Sequence, residues 1–260
     1  MMKRIYKRLE EPPLLKAYRE QYPDEIWEHF RRRCRKGYHE VKRAILEDQH
    51  GLCAYCEISI KFAENENEVD DFRVEHFYPK AGTNEEKHNY HLDWKNLLGV
   101  CHGGSQPDVP NPQWRFSNYK KDRSCDVPKG GKEITKRILN PSLIPAQFRL
   151  FRYAEHTGRM YVDEESCPEN LRKKARNTIK ELNLNAPRLM RMRKVVIQSL
   201  EDEISQNIEN GGELDEILQF LAETLLLPDA VGRTVPFFTV VRWYLGEAAE
   251  RVLAAVDYKI

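Results

Sequence analysis

No apolar run in this 260-residue chain approaches the roughly 20 residues that a membrane-spanning helix needs. The N-terminal stretch MMKRIYKRLEEPPLLKAYREQ carries positive charge but neither an apolar segment nor a small-residue cleavage site, so it does not read as a secretory signal. The expectation is a cytoplasmic protein with no membrane association. Internal repeats and low-complexity tracts are missing too. So is a Walker A sequence, GxxxxGKS or GxxxxGKT, and with it that kind of nucleotide-binding loop. Cysteine is scarce, six residues in all, and without a secretory signal these are expected to be reduced thiols or metal ligands rather than a disulfide framework. Charged residues at 32%, aromatics at 10% and hydrophobics at 40% are too apolar for a disordered chain and too polar for a membrane protein. A chain of this length can bury about three quarters of its unfolded surface, enough for one or two conventional cores.

The net charge of +1 hides an uneven distribution. Residues 115–152 carry ten Lys/Arg against three Asp/Glu, and residues 201–260 carry four against twelve. A basic middle and an acidic tail suit a protein that meets a polyanion in one region and something else in another, although ordinary solvated faces produce the same pattern. The first fifty residues read as helical: after Pro12 and Pro13, residues Ile26, Trp27, Phe30, Tyr38, Val41, Ile45 and Leu46 recur at helical spacings up to a stop at Gly51. CAYCEISIKF and FRVEHFYPK suggest short strands around an acidic loop, ENENEVDD. From Gly82 to Gly131 the chain is rich in Gly, Pro, Asn, Asp and His with little periodicity, so something other than a regular hydrophobic pattern must hold it. FRLFRYAEHTGRMYV reads as a hairpin turning at HTG, and helices are expected over 169–183, 187–209, 213–227 and 236–256, the last three as a bundle.

Cys53 and Cys56 form a CxxC, a spacing at which a tight turn brings two sulfurs to about 2.3 Å from one zinc ion. A thioredoxin-like redox pair expects a βαβ context and a different interior, and neither is found. Cys101 and Cys125 stand in the irregular region and complete a four-cysteine set. Zinc is the expected ion, while an iron–sulfur cluster uses the same four thiolates and is separated from it by metal analysis. Cys34 and Cys167 read as small buried hydrophobes. Between the cysteine pairs lie the adjacent Glu75 and His76, a carboxylate for a hard cation beside an imidazole that can take a proton. Asn96 follows in LDWKNLLGVC, and Asp126 and Lys129 in CDVPKG. The order is CxxC, EH, N, C, CDxxKG.

This order resembles the HNH nuclease family, whose zinc-containing members read CxxC, DH or EH, NL and CxxCNxxK. Here the second cysteine pair is split by residues 102–124, and Asp126 falls where the family has its last His or Asn. The wording QHGLCAYCEISI, VEHFYPK, YHLDWKNLLGVCHGGSQ and CDVPKG followed by ILNPS is similar to the HNH subunit of Septu-type antiphage systems, PtuB, including retron-associated forms. The resemblance implies an α+β protein, a mainly helical chain enclosing a zinc-stapled ββα-metal (HNH) core. Pattern and resemblance together divide the chain into an N-terminal helical segment over 1–50, the nuclease core over 51–142 with its insertion 102–124, and a hairpin and helical region over 143–260 that is expected to dock a partner. By this resemblance His76 is the general base, Glu75 and Asp126 hold a catalytic Mg²⁺ or Mn²⁺, and Asn96 braces the loop that orients His76. Cys53, Cys56, Cys101 and Cys125 hold a structural zinc. His102, directly after Cys101, competes with Asp126 for the catalytic ion.

The implied activity is metal-dependent hydrolysis of nucleic-acid phosphodiesters, with DNA favoured. The implied partners are an SMC- or ABC-like ATPase (PtuA-like) and, in retron-associated forms, a reverse transcriptase and its DNA product. Two other readings stay open: a ribonuclease acting on structured RNA, and a zinc-stapled binding or assembly module without catalysis. WRFSNYKKDR, with Trp114, Phe116 and Tyr119 among Arg115, Lys120, Lys121 and Arg123, fits either a strand-tracking surface or an insertion packed by its own aromatics. RRRCRK at 31–36 would point around more than half of a continuous helix and is expected to be a solvated face.

Overall fold

Proline starts the first helix. Pro13 opens α1 (Pro13–Gln21), where its missing N–H is no loss and its fixed φ favours the helical turn. α2 (Trp27–Arg33) and α3 (Arg35–Asp48) follow, separated at Cys34, and both α1 and α2 pack on α3. Val41, Ala44 and Ile45 supply the buried face of α3. The computed structural model describes residues 2–63, 69–80, 88–109 and 111–260. Most of the acidic loop ENENEVDD lies outside the described residues.

Residues 2–10 are not helical. They form a strap that crosses the molecule: Met2 N–H donates to Glu57 Oε1, Ile5 N–H to the Pro141 carbonyl, and Lys7 Nζ to the carbonyls of Trp94 and Leu97. Met2 and Ile5 are buried with the main core, which explains why a short stretch without periodicity is nonetheless ordered.

CAYCEISIKF is a turn and not the expected strand. Cys53 N–H donates to the Ile58 carbonyl and Glu57 N–H to the Cys53 carbonyl, and Leu52 and Ser59 make an isolated bridge. In a strand, residues three apart point to opposite faces, whereas a tight turn lets both sulfurs look the same way. FRVEH does form a strand. β1 (Phe72–His76) pairs antiparallel with β2 (Leu97–Cys101), with Phe72 opposite Cys101 and His76 opposite Leu97. β2 packs directly on α3. A Cβ at Gly99 would come within 2.6 Å of Ile45 Cγ2, so only glycine allows this approach. The buried Gln49 side chain then serves the strand as a neighbouring backbone would, accepting from Gly99 N–H at 2.7 Å and donating to its carbonyl at 2.8 Å.

Two short helices, α4 (Pro112–Arg115) and α5 (Asp126–Lys129), punctuate the region that follows. β3 (Phe151–Ala154) and β4 (Arg159–Val162) make the expected hairpin, and α6 (Glu169–Glu181), α7 (Pro187–Glu209), α8 (Leu214–Leu226) and α9 (Phe238–Ala255) follow the expected helical spans closely. The architecture is α+β: helices around two small antiparallel sheets. One apolar core draws on residues from Met2 to Val240, and a second joins the end of α7 to α8 and α9, the bundle read from the pattern. Among the described residues no helix is long and apolar enough to cross a membrane.

Candidate active site and metal centre

Three parts of the chain deliver the four cysteines. The turn after α3 carries Cys53 and Cys56, β2 ends on Cys101, and Cys125 precedes α5. Their ligand atoms all lie within 4.8 Å of one another, and all four residues are buried. Sulfur separations are 3.5 Å for Cys56–Cys101, 3.7 Å for Cys101–Cys125 and 4.0 Å for Cys53–Cys125. A tetrahedron with Zn–S bonds of about 2.3 Å has edges of about 3.8 Å, so the set fits zinc with little adjustment. None of these thiols is in a disulfide. Burial pushes the Cys56 and Cys125 thiols well up, while hydrogen bonds from the other three sulfurs pull Cys101 well down. Four thiolates cannot share this space without a cation. Backbone amides already point inward, Cys101 N–H to Cys53 Sγ at 3.3 Å and Gly103 N–H to Cys101 Sγ at 3.4 Å. The buried Arg188 guanidinium also lies close enough for its charge to be felt by the sulfurs.

Residues 102–124 leave and return at nearly the same place. Ser124 N–H donates to the Gly103 carbonyl and Ser117 N–H to the Gly104 carbonyl, which sets Cys125 beside Cys101 despite the distance in sequence. Arg115 leaves the insertion to bond Asp71 at 2.6 Å and so ties it to the residue before β1, while Arg123 lies over Phe116 and packs within it. Trp114 and Tyr119 remain exposed.

The carboxylates meet on one face of β1. Alternation puts Arg73 and Glu75 together, facing α5, where Asp126 and Lys129 stand one turn apart. Arg73 grips Asp126 through two bonds of 2.6 and 2.8 Å, and Lys129 donates to Glu75 at 2.5 Å and to the His76 carbonyl at 2.8 Å. Burial raises the pKa of Glu75 against the pull of Lys129, with the Asp126 charge pushing the same way as burial. Burial likewise raises Asp126 against the pull of Arg73. Two partly desolvated carboxylates that disfavour each other's charge are a donor set suited to a hard divalent cation. Tyr55, inside the CxxC, senses both carboxylates, and its buried hydroxyl has no hydrogen-bond partner among the described residues. Nothing in the motif marks this tyrosine; only the fold reveals it.

His76 ends β1 and turns to the opposite face. Its ring meets Trp27 edge-on at 5.2 Å, and Nε2 lies 3.0 Å from the His91 carbonyl. A carbonyl only accepts, so Nε2 carries the proton and Nδ1 keeps its lone pair. Burial drives the imidazole pKa down to about 3, which leaves the ring neutral. Asn96 is buried at the start of β2, where its Oδ1 accepts from Tyr78 N–H at 2.6 Å and its Nδ2 donates to the carbonyls of Tyr78 at 3.0 Å and Tyr90 at 2.9 Å. It therefore ties together both limbs of the segment joining β1 to β2. Residues 81–87 of that segment lie outside the described residues. His91, which has no place in the motif, supplies the carbonyl that fixes the His76 tautomer, and its Nδ1 accepts from Trp27 N–H. His102 Nε2 lies 2.7 Å from the Asp70 carbonyl. The structure thus brings Glu75 and Asp126 to one side and sets His76 on the other.

No family model matches the sequence. The chain is 34% identical over 211 residues to a protein of Escherichia coli named "Retron Ec83 putative HNH endonuclease", a match that covers 75% of this chain and 79% of that protein. The chain belongs to the HNH endonuclease family.

Proposed function

We propose that the protein is a metal-dependent endonuclease that hydrolyses phosphodiester bonds, in DNA by preference, with β1, β2 and α5 as its ββα-metal unit. The supporting observation is His76 at the strand end, its Nε2–H committed to the His91 carbonyl and its Nδ1 unprotonated, one residue beyond Glu75. In-line displacement at phosphorus needs the water and the leaving oxygen on opposite sides. The base and the carboxylate pair are proposed to meet the phosphate from its two sides, as that displacement requires. His76 Nδ1 takes the proton of the attacking water, and Asn96 holds the loop that fixes the ring. Glu75 and Asp126 would hold Mg²⁺ or Mn²⁺ in exchange for their Lys129 and Arg73 partners, and the ion would supply positive charge to the phosphate and the leaving 3′ oxygen. Products then carry 5′-phosphate and 3′-hydroxyl ends. Asp126 is favoured over His102 as a ligand because it shares a buried site with Glu75.

The named relative is a retron protein, and together with the resemblance of the motif segments to the HNH subunit of Septu-type systems this supports reading the protein as the effector of a retron- or Septu-type antiphage complex with an SMC- or ABC-like ATPase. The acidic C-terminal helices are the proposed docking face, with Phe220 on α8 exposed at 64%. Cleavage of DNA and RNA, with and without the ATPase, tests the activity. His76→Ala is expected to abolish cleavage while leaving zinc content, folding and ATPase binding unchanged; a His76→Ala protein that cuts like the parent overturns the reading. Phe220→Glu is expected to weaken ATPase binding without affecting the isolated fold.

A further inference from the structure

The run RRRCRK spans the junction of α2 and α3, where Cys34 leaves helical geometry at φ −119° and ψ 63°. One straight helix would fan these side chains apart. The break instead folds α3 back against the end of α2, and Gly37 permits the approach: a Cβ there would lie 2.8 Å from Cys34 Sγ and 3.1 Å from the Phe30 ring. Arg31 and Arg32 from the last turn of α2 thereby join Arg35, Tyr38 and His39 from the start of α3 around one open cleft of about 530 Å³.

The nearby acidic groups are already engaged. Glu25 binds His29 and Arg33, Glu28 binds Lys80, and Asp70 binds Lys42 and the Ala63 amide. Among the described residues Arg31, Arg32 and Arg35 form no ion pair. Three exposed guanidinium groups in one concavity repel each other and present planar donor forks suited to phosphate oxygens. Tyr38 links the cleft to the catalytic side: its ring meets Trp27 at 5.8 Å, and Trp27 meets His76 at 5.2 Å. Those two ring contacts put Tyr38 within about three nucleotide steps of His76, at a rise of about 3.4 Å per step.

We infer that this cleft binds the backbone phosphates of the substrate strand on the His76 side of the scissile bond, a contact independent of base sequence. The inference rests on the nuclease reading above and adds to it where the strand runs. Binding is measured by fluorescence anisotropy on zinc-loaded His76→Ala protein without added Mg²⁺, against a DNA duplex of about two helical turns and an RNA duplex of the same sequence, over a series of salt concentrations. The triple variant Arg31→Gln, Arg32→Gln, Arg35→Gln is expected to bind roughly 10- to 100-fold more weakly and to flatten the salt slope by up to about 3. Arg35→Gln alone is expected to flatten it by about 1. Arg33→Gln, outside the cleft and paired to Glu25, is expected to change little. The same loss on RNA, with RNA the tighter ligand, keeps the cleft and makes RNA the substrate. Unchanged affinity and slope in the triple variant overturn the cleft while the nuclease reading stands. If the unmutated protein with its ATPase neither binds nor cuts either duplex, the nuclease reading falls and the cleft with it.

Discussion

Asn96→Ala separates bracing from mere burial. The amide makes three hydrogen bonds, to Tyr78 N–H, the Tyr78 carbonyl and the Tyr90 carbonyl, from a position 2% exposed. At about 1 kcal/mol net for each, truncation costs about 3 kcal/mol, a large share of a typical total stability. Tyr78 is partly exposed, so water can satisfy some of the released groups and the loss is expected nearer 2 than 5 kcal/mol. The effect on chemistry is indirect and of similar size. The His91 carbonyl that fixes the His76 tautomer lies one residue beyond Tyr90, and a shift of about 1 Å in a catalytic group costs on the order of 10²-fold in rate. Single-turnover cleavage at a temperature where the variant is folded is therefore expected to fall about 100-fold, with binding of uncut substrate nearly unchanged and zinc retained. Asn96→Asp keeps an acceptor for Tyr78 N–H but sets a carboxylate against two carbonyls, so it is expected to be no better than alanine. Parent-like rate and urea midpoint in Asn96→Ala would refute the bracing role. Loss of zinc from the variant would show that Asn96 supports the whole centre rather than one loop.

Cys101→Ser is expected to lose zinc and to expose the segment between β2 and α5 to proteolysis, checked by metal analysis alongside limited digestion, whereas Cys34→Ser retains the metal. Folding keeps His76 neutral with a pKa of about 3, while the unfolded chain protonates it near pH 6.5. The unfolded state therefore binds more protons between those values, and stability falls as the pH drops below about 6.5, by about 2 kcal/mol at pH 5. Urea titrations at pH 7.5 and 5 are expected to show that loss reduced by the same amount in His76→Phe. Glu57→Gln is expected to lower the melting temperature, at a cost of about 2 kcal/mol. One of its oxygens accepts from Met2 N–H and the other from Thr239 N–H and Oγ1, so an amide there leaves at least one donor unmatched.

Periodicity made the helices legible. The spans of α6 to α9 match the apolar spacing because each of these helices buries one stripe, and the HTG turn of the hairpin is where β3 passes into β4. β2 was concealed because LLGVC is buried at every position and carries no alternation. The CxxC turn and the N-terminal strap share another reason. Both are held by long-range partners, sulfurs in one case and carbonyls at residues 94, 97, 141 and 144 in the other, which no local pattern encodes. In the candidate site, the residues singled out by type and order fall on the end of β1, the start of β2 and the start of α5. The facing of His76 away from Glu75 follows from strand alternation alone, once β1 is known to run through both. The anchors Trp27 and His91 are a different matter. One comes from a helix some fifty residues earlier and the other contributes only its backbone oxygen, so neither leaves a chemical signature in the sequence.

The split cysteine pair shows why such an insertion is tolerated. Lengthening a closed loop costs only about 0.6 kcal/mol for each doubling, whereas four thiolates on zinc contribute on the order of 10 kcal/mol or more. The ends of the insertion are clamped where that energy is greatest: Cys101 is the last residue of β2 and Cys125 immediately precedes α5. Whatever the chain does between them, an ion held by the four cysteines would fix the end of β2 against the start of α5. β1 is in register with β2, so Arg73 and Glu75 are fixed against Asp126 and Lys129 by the same bond set. The four-cysteine set and the carboxylate pair are for this reason one mechanical unit, and the length of the insertion can vary without moving Glu75 relative to Asp126.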